Sequence, residues 1–242
     1  MSELEIIKDV YYVGYVDWEV RNFHGYSTHK GSSYNAYIVK SGEKIVLIDA
    51  VKRPYFKYFL ANIKSICDPS EIDYFIVNHV EPDHSGSFPL ILDHLNNAEI
   101  IASTKGVEIL EQHYHGEVNS EIFKKIRAVK EGDILDIGNE KKFTFVPIPM
   151  IHWPDSMVSF MTGDNGKNVL FSNDAFGQHF ATSKRWDDEN GLSEIMWEAE
   201  KYYANILLHL SKLIAKTLPT VGALPIDIIC PSHGVCWRKH IP

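Results

Sequence analysis

Cysteine is scarce in this sequence. The 242 residues contain three, at Cys67, Cys230 and Cys236, too few and too scattered for a disulfide framework, and we interpret all three as structural. The N-terminus also lacks the basic start and apolar core of a signal peptide. No apolar run reaches the roughly 20 residues that a membrane-spanning helix needs. These absences predict a cytoplasmic protein that does not enter a membrane.

Dense runs of basic residues are absent as well. The formal net charge is -8 and the pI is about 5.8, which argues against nucleic acid or an anionic membrane surface as a partner. No internal repeat, low-complexity tract or long Pro/Gly linker marks a domain boundary. Because 45% of the residues are hydrophobic, a large core can form, and we predict a single domain spanning residues 1–242.

Histidine, by contrast, is abundant, with twelve residues. The densest cluster of candidate metal ligands directly follows an apolar run at residues 74–77 that predicts a buried strand. Within the next few positions lie His79, Glu81, Asp83 and His84. A loop at the end of a strand can turn several side chains toward one point. Imidazole and carboxylate together hold Zn, Fe or Mn, so the ligand types alone leave the metal open.

Three further strand ends each carry one residue of the same kind. His152 follows a predicted strand that ends near residue 148, Asp174 follows residues 169–171, and His233 follows residues 226–230. A single loop histidine or aspartate is usually a helix cap or a solvated group. Their shared position in short loops at the ends of apolar strands is what indicates a common site.

The strands come in two batches, each accompanied by helices. This pattern predicts an α/β (α+β) fold, a four-layer αββα sandwich with two sheets face to face and helices outside. A turn at residues 163–166 is predicted to join two strands of the second batch. The predicted strands cover residues 10–16, 34–39, 44–49, 73–78, 99–102, 126–129, 133–137, 142–148, 157–162, 169–171 and 226–230. The predicted helices cover residues 54–66, 86–97, 106–114 and 192–218.

The order His-x-Glu-x-Asp-His, followed at long spacing by His, Asp and His, resembles the metallo-β-lactamase fold superfamily. Within it the sequence is most similar to the diiron domain of flavodiiron proteins, the O2 and NO reductases. Glu81 stands where the zinc hydrolases usually place histidine. Four local segments resemble those of the family: GSSYNAY, HWPDSM, DAFGQH and SHG followed by WR, at residues 31–37, 152–157, 174–179 and 232–238.

The resemblance implies a metallo-β-lactamase-like fold and two metal centres. One iron would bind His79, Glu81 and His152, the other would bind Asp83, His84 and His233, and Asp174 would bridge them. Three carboxylates then balance most of the charge of two divalent ions, and a bridging oxo or hydroxo group, or an O2-derived ligand, would balance the rest. Metals that share a carboxylate lie roughly 3.5 Å apart, so that O2 or two NO molecules can engage both.

Residues beside these ligands have weaker assignments. His24 is a candidate for contact with bound O2, although a loop role is equally compatible with the sequence. Tyr26 and His179 are candidates for the same contact, but for both the sequence favours a structural role. We expect Trp153 to pack against the ligand loop, and Asp49 to accept a hydrogen bond from a ligand histidine or from the loop backbone.

Two functions follow from the resemblance. Flavodiiron proteins continue into a flavodoxin-like domain that binds FMN and feeds electrons to the irons, and nothing in this sequence resembles an FMN-binding loop. We therefore expect a stand-alone protein that binds or senses O2, or NO, and is read by a signalling partner. The alternative is an O2 or NO reductase that takes electrons from a separate flavoprotein or rubredoxin, or a domain excised from a longer protein.

A different metal chemistry and the oligomeric state are two further questions that the sequence raises. A dinuclear zinc hydrolase is a third function, against which Glu81 and the local segments argue. The family usually forms a head-to-tail homodimer that brings one subunit's flavin to the other's irons, and that reason does not apply to a chain without FMN.

Overall fold

The computed structural model describes residues 4–163 and 166–241. The predicted turn at residues 163–166 therefore lies partly outside the described residues. In chain order, the strands of the described part are β1 Glu5–Ile7, β2 Val10–Tyr12, β3 Tyr15–Asp17, β4 Asn22–Phe23, β5 Tyr26–Ser27, β6 Ser32–Tyr34, β7 Tyr37–Lys40, β8 Ile45–Ile48, β9 Tyr74–Val77, β10 Glu99–Ser103, β11 Arg127–Val129, β12 Ile134–Asp136, β13 Lys142–Pro147, β14 Met157–Thr162, β15 Val169–Asn173 and β16 Ile228–Pro231.

Two large sheets contain most of these strands. The first sheet has seven strands in the order β1-β2-β7-β8-β9-β10-β11, and the second has five in the order β12-β13-β14-β15-β16. In the first, β8, β9, β10 and β11 run parallel, whereas in the second only β15 and β16 do. The pairs β3-β6 and β4-β5 form two small ribbons.

Strand side chains alternate between a core shared by the two sheets and two outer cores. In β9, Ile76 faces the shared core while Phe75 and Val77 pack in the outer core of the first sheet. In β15, Phe171 faces the shared core and Leu170 packs in the outer core of the second sheet. Because both faces of each sheet are covered, successive residues of these strands are all apolar instead of being apolar and polar in turn. The predicted αββα sandwich is confirmed.

The helices cover the outer faces. They are α1 Phe56–Ile66, α2 Pro82–Ser85, α3 Phe88–Leu92, α4 Thr104–Tyr114, α5 Ser120–Phe123, α6 Leu192–Tyr202 and α7 Ser211–Gly222. Residues of α1, α3 and α4 pack in the outer core of the first sheet, and residues of α6 and α7 pack in that of the second. None of the helices in the described part of the chain is long and apolar enough to span a membrane.

Two helix predictions were wrong in extent. The helix predicted over residues 192–218 is divided between α6 and α7 by a π-helical turn at Tyr203–Leu207 and a 3-10 turn at Leu208–Leu210. The wider turn accommodates one more residue, so that Ile206 and Leu207 both pack in the outer core. The helix predicted over residues 86–97 is limited to α3.

Candidate metal centre

The predicted ligands come together where strands of the two sheets end side by side. The loop after β9 carries the dense cluster, and the ends of β15 and β16 carry Asp174 and His233. Two backbone hydrogen bonds join these regions across the sandwich. The amide of Met157 donates to the carbonyl of Asn78 at 3.0 Å, and the amide of Asn35 donates to the carbonyl of Ser232 at 2.8 Å.

One group of side chains collects around Glu81 and one oxygen of Asp174. His152 Nε2 lies 3.1 Å from Glu81 Oε2 and 2.9 Å from Asp174 Oδ2. His79 Nε2 lies 3.3 Å from Glu81 Oε2 and 3.6 Å from Asp174 Oδ2. The ligand atoms of these four residues lie within 4.8 Å of one another, a spacing that suits one metal ion.

A second group collects around Asp83 and the other oxygen of Asp174. His84 Nε2 lies 3.2 Å from Asp83 Oδ2 and 3.0 Å from Asp174 Oδ1. His233 Nε2 lies 3.2 Å from Asp83 Oδ2 and 3.5 Å from Asp174 Oδ1. Asp174 thus directs Oδ2 to the first group and Oδ1 to the second, which is the arrangement of a bridging carboxylate.

Several atoms of the cluster are buried without a hydrogen-bond partner among the described residues. They are both oxygens of Asp83, Oδ1 of Asp174, and Nε2 of His84 and His233. A buried polar atom without a partner costs about 1–3 kcal/mol. The two Nε2 atoms lie 3.0–3.5 Å from Asp83 Oδ2 and Asp174 Oδ1, all in the second group, so a cation bound there would give these atoms partners. The residues present therefore fit a two-metal site.

The electrostatics of the cluster also favour bound cations. Burial works to lower the pKa of His84, but the carboxylates of Asp83 and Asp174 outweigh it and raise the value to about 9. Burial likewise opposes the charged form of His152, yet hydrogen bonds to Asp174 and Glu81 raise its pKa to about 9. Burial acts to raise the pKa of Glu81, but hydrogen bonds from His152, His24 and His79 hold it well below its ordinary value. The carboxylates thus impose a negative potential that protons or metal ions must balance.

Two of the predicted ligand histidines are oriented by groups on their far side. His79 Nδ1 lies 3.0 Å from Asp155 Oδ2, an oxygen that also accepts from the amide of Val80 at 2.6 Å. His233 Nδ1 donates to the carbonyl of Ser33 at 2.6 Å. Such contacts set the tautomer and ring orientation of metal-binding histidines. The sequence analysis assigned Asp155 no role, and its place three residues after His152 was the signal that could have found it.

The loop that presents His233 depends on a glycine. Gly234 has a φ of +78°, a conformation that other residues rarely adopt. A Cβ atom at this position would collide with Gln178 Oε1. That oxygen accepts a hydrogen bond from the amide of Val235 at 2.8 Å and so closes the loop around His233.

His24, Tyr26, His179 and Tyr202 lie beside the cluster, and of these His179 and Tyr202 are fully buried. His24 Nε2 is 3.5 Å from Glu81 Oε1, and His24 Nδ1 is 3.1 Å from His179 Nε2. The hydroxyl oxygens of Tyr26 and Tyr202 are buried without a hydrogen-bond partner among the described residues. Tyr202 falls within the helix predicted over residues 192–218 and has no predicted role, because helical periodicity does not report which groups a buried ring contacts.

Asp49 and Trp153 both contact the ligand loop, as the sequence predicted. Asp49 accepts hydrogen bonds from the amide of Asn78 at 2.7 Å and from its side chain at 3.2 Å, so it holds the ligand loop rather than a ligand histidine. The ring of Trp153 packs edge-on against His79, with 5.4 Å between the ring centroids, in agreement with the expected contact with the ligand loop.

The profile of the family described as ODP family β-lactamase matches residues 33–234, most of the chain and all seven predicted ligands. The chain belongs to this family. The resemblance to the diiron domain of flavodiiron proteins is thereby confirmed.

Named relatives of this ODP-family chain are nitric oxide reductases. The chain is 43% identical over 237 residues to the anaerobic nitric oxide reductase flavorubredoxin of Enterobacter sp. (strain 638), covering 96% of this chain and 47% of that protein. It is 43% identical over 244 residues to a nitric oxide reductase of Moorella thermoacetica, covering 99% of this chain and 59% of that protein. The chain therefore spans about half the length of these curated relatives.

Solved structures agree with this membership. The flavodiiron protein of Giardia intestinalis superposes with a TM-score of 0.89 at 39% identity, over 98% of this chain and 55% of that one. Rubredoxin oxygen:oxidoreductase of Desulfovibrio gigas superposes with a TM-score of 0.88 at 38% identity, over 97% of this chain and 57% of that one.

Proposed function

We propose that this chain is the catalytic diiron unit of a reductase that acts on NO or O2. The single observation that carries the proposal is the division of the two Asp174 oxygens between two ligand groups. In this assignment, one iron binds His79, Glu81 and His152. The other binds Asp83, His84 and His233, and Asp174 bridges the two.

Glu81 favours iron over zinc within this ligand set. A carboxylate in place of a third imidazole makes the site harder and more negative, which suits an ion that changes between Fe²⁺ and Fe³⁺. When bound, two irons would supply the electrons and the open coordination positions that reduction of NO or O2 needs. The names of the relatives support reduction rather than hydrolysis.

The same names support the reductase alternative over a stand-alone O2 sensor. A reductase needs a source of electrons, and the relatives are about twice as long as this chain. We propose that electrons come from a flavin-binding domain or from a separate flavoprotein or rubredoxin-type partner. A single domain over residues 1–242, a cytoplasmic location, a homodimer and the absence of FMN from these residues stay predictions from the sequence and the family resemblance.

A chain of hydrogen bonds beside the site sets which nitrogen of His24 carries a proton. Ser32 Oγ lies 2.7 Å from His179 Nδ1, and His179 Nε2 lies 3.1 Å from His24 Nδ1. Burial holds the pKa of His179 well below its ordinary value, so its ring stays neutral. If Ser32 donates to Nδ1, His179 donates from Nε2 to His24. His24 then presents an N–H toward the space between Glu81 and Asp83, where it can donate to a bound substrate.

Aromatic rings enclose the same space and limit the entry of water. The ring centroid of Tyr202 lies 5.1 Å from that of His179 and 5.9 Å from that of His233, and the ring of Tyr26 lies 5.6 Å from that of His179. The unpartnered hydroxyl groups of both tyrosines are available as hydrogen-bond donors to a small polar substrate.

Metal analysis and turnover assays test the proposal together. Protein produced in iron-replete cells should contain two irons per chain, and NADH-driven consumption of NO or O2 should be fast when a flavoprotein or rubredoxin donor is added. A His152→Ala variant should lose metal and turnover, whereas His113→Ala, in which an exposed histidine outside the cluster is removed, should keep both. Two zinc ions without iron would refute the diiron assignment. Tight O2 binding without turnover by any donor would support the sensor instead.

A further inference from the structure

A row of tyrosine rings connects a metal-site histidine to the protein surface. Tyr34 and Tyr15 are cross-strand partners in the β3-β6 ribbon, and the ring of Tyr55 stacks on both. The centroid distances are 6.0 Å from His233 to Tyr34, 5.6 Å from Tyr34 to Tyr55 and 3.9 Å from Tyr55 to Tyr15. A last step of 5.1 Å reaches Tyr58.

Exposure increases along this row. Tyr34 is fully buried, Tyr55 and Tyr15 are half-buried, and Tyr58 is 45% exposed. The row therefore has one end against the metal centre and the other in solvent.

The two inner phenols share a proton acceptor. The hydroxyl groups of Tyr34 and Tyr55 donate to the same oxygen of Asp17, at 3.0 and 2.8 Å. The other oxygen of this buried carboxylate accepts from two backbone amides, which keeps it in place. Lys52 Nζ donates to the phenol oxygen of Tyr34 at 3.0 Å. When a phenol loses an electron it also loses its proton, so an adjacent carboxylate makes the oxidation easier.

From this geometry we propose that Tyr34, Tyr55, Tyr15 and Tyr58 carry one-electron oxidising equivalents from the metal centre to the surface. The inference rests on the proposed function, because a site that reduces O2 without a full supply of electrons retains oxidising power. In the first step an electron passes from Tyr34 to the metal centre and the phenol proton passes to Asp17. Electrons then move inward from Tyr55, Tyr15 and Tyr58 in turn. Tyr34 regains its proton from Asp17, Tyr55 passes its own proton to the same carboxylate and regains it, and the half-buried Tyr15 exchanges its proton with water.

The oxidising equivalent ends as a radical on Tyr58, whose proton leaves to solvent. A one-electron reductant in solution, such as a thiol or ascorbate, would return an electron and a proton to it. Tyrosine is a poor relay for ordinary reducing electrons, since only a strong oxidant can oxidise it. The row is therefore a protective route and does not replace the electron donor.

Tyr202 provides a contrast. Its ring is as near to His233 as that of Tyr34, at 5.9 Å, and equally buried, yet its hydroxyl has no hydrogen-bond partner among the described residues. Without a proton acceptor its oxidation is disfavoured, so proximity alone does not select Tyr34.

The first test uses iron-loaded protein. Reduced protein is mixed with O2 in the absence of any donor, tyrosyl radicals are recorded by freeze-quench electron paramagnetic resonance, and dityrosine-linked dimers are mapped by mass spectrometry. We expect dimers linked through Tyr58. Both Tyr58→Phe and Tyr55→Phe should reduce the yield of these dimers to background. Phenylalanine keeps the ring but has no phenol hydroxyl, so it cannot pass on the oxidising equivalent. Tyr74→Phe, a half-buried tyrosine outside the row, should match the parent. An equal yield in all variants would overturn the proposal.

The second test uses metal-free protein and does not depend on the iron site. A photo-oxidant is attached at Lys57→Cys, beside Tyr58, in a Cys67→Ser background. Illumination should oxidise Tyr34 in the labelled protein with an intact row, and a further Tyr15→Phe substitution should abolish the oxidation of Tyr34. Oxidation of Tyr34 here, combined with no O2 consumption by the iron-loaded protein, would support the row while the proposed function fails. O2 consumption combined with no oxidation of Tyr34 here would overturn the row alone.

Discussion

The two halves of the candidate site are built differently. The first sheet contributes His79, Glu81, Asp83 and His84 from one loop and the short helix α2 that begins within it. The second sheet contributes His152, Asp174 and His233 from three separate loops. The first half is a local structure that one strand end can present, whereas the second exists only when β13 to β16 are assembled. The second half therefore depends more on contacts between distant parts of the chain.

The largest effect is expected at Asp174, the residue that the two metal positions share. Asp174→Ala removes an oxygen from each ligand group and should abolish binding of both metals, whereas Asp83→Ala should chiefly weaken one position. Affinity should fall by more than the roughly 100-fold that loss of a ligand's supporting partner produces. Metal content after dialysis against a chelator measures this. An Asp174→Ala protein that keeps one metal at full affinity would contradict the bridge.

A substitution in the core between the sheets should affect the ligands of both sheets together. Phe145 is fully buried in that core, and Phe145→Ala should lower the free energy of unfolding by about 3–5 kcal/mol. Chemical denaturation of metal-free protein measures the change. Because each metal position takes ligands from both sheets, metal binding should weaken as well. A loss of stability below about 1 kcal/mol would show that the two sheets hold together by other contacts.

Asp49 gives a pH-dependent test of the first half. Burial raises its pKa from 3.8 to about 6, although His84 and the Asn78 hydrogen bonds work against this. The folded state then binds the extra proton, so Asp49 makes the metal-free protein less stable as the pH rises from about 4 to about 6. An asparagine side chain cannot titrate, so the stability of Asp49→Asn relative to the parent should rise by up to about 3 kcal/mol over that window.

The lost hydrogen bond to Asn78 adds a cost that does not depend on pH, and unfolding at several pH values separates the two contributions. A relative stability that stays constant from pH 4 to 7, with Glu43→Gln as an exposed control, would show that Asp49 is charged throughout.

The smallest effect is expected from a partner of a ligand rather than a ligand. Asp155→Asn keeps an oxygen near His79 Nδ1 but removes the charge, and should weaken metal binding at the position that includes His79 by roughly 10–100-fold. Competition with a metal-binding dye measures the affinity. Asp133→Asn, an exposed change far from the site, is the control. A larger loss of affinity at the His233 position than at the His79 position would contradict the assignment of Asp155 to His79.

The sequence predicted many of the strands and the main loop of candidate ligands because the patterns that indicate them lie within short segments. The apolar run at Tyr74–Val77 and the ligands that follow it are contiguous, so strand and loop were both visible. The paired carboxylate and imidazole types restricted the chemistry, and the order of His152, Asp174 and His233 matched a family pattern. Helix α4 and strand β14 were also predicted close to their observed bounds.

Other features depend on contacts that no local pattern records. The interruption of the helix predicted over residues 192–218 follows from packing against the second sheet. The hydrogen bonds that His79 donates to Asp155 and that His233 donates to the carbonyl of Ser33 join residues far apart in the sequence. The stacking of Tyr34, Tyr55 and Tyr15 around Asp17 likewise requires a ribbon and a helix start to meet.

Residue chemistry and apolar periodicity are properties of short segments, so the sequence predicts which residues are candidate metal ligands and which strands place them. The division of the Asp174 oxygens between two groups, and the partner that orients each histidine, emerge only in the folded chain. Those facts are distances of about 3 Å between atoms on different strands. They arise when the two sheets pack through a common core, and that packing depends on side chains throughout the chain.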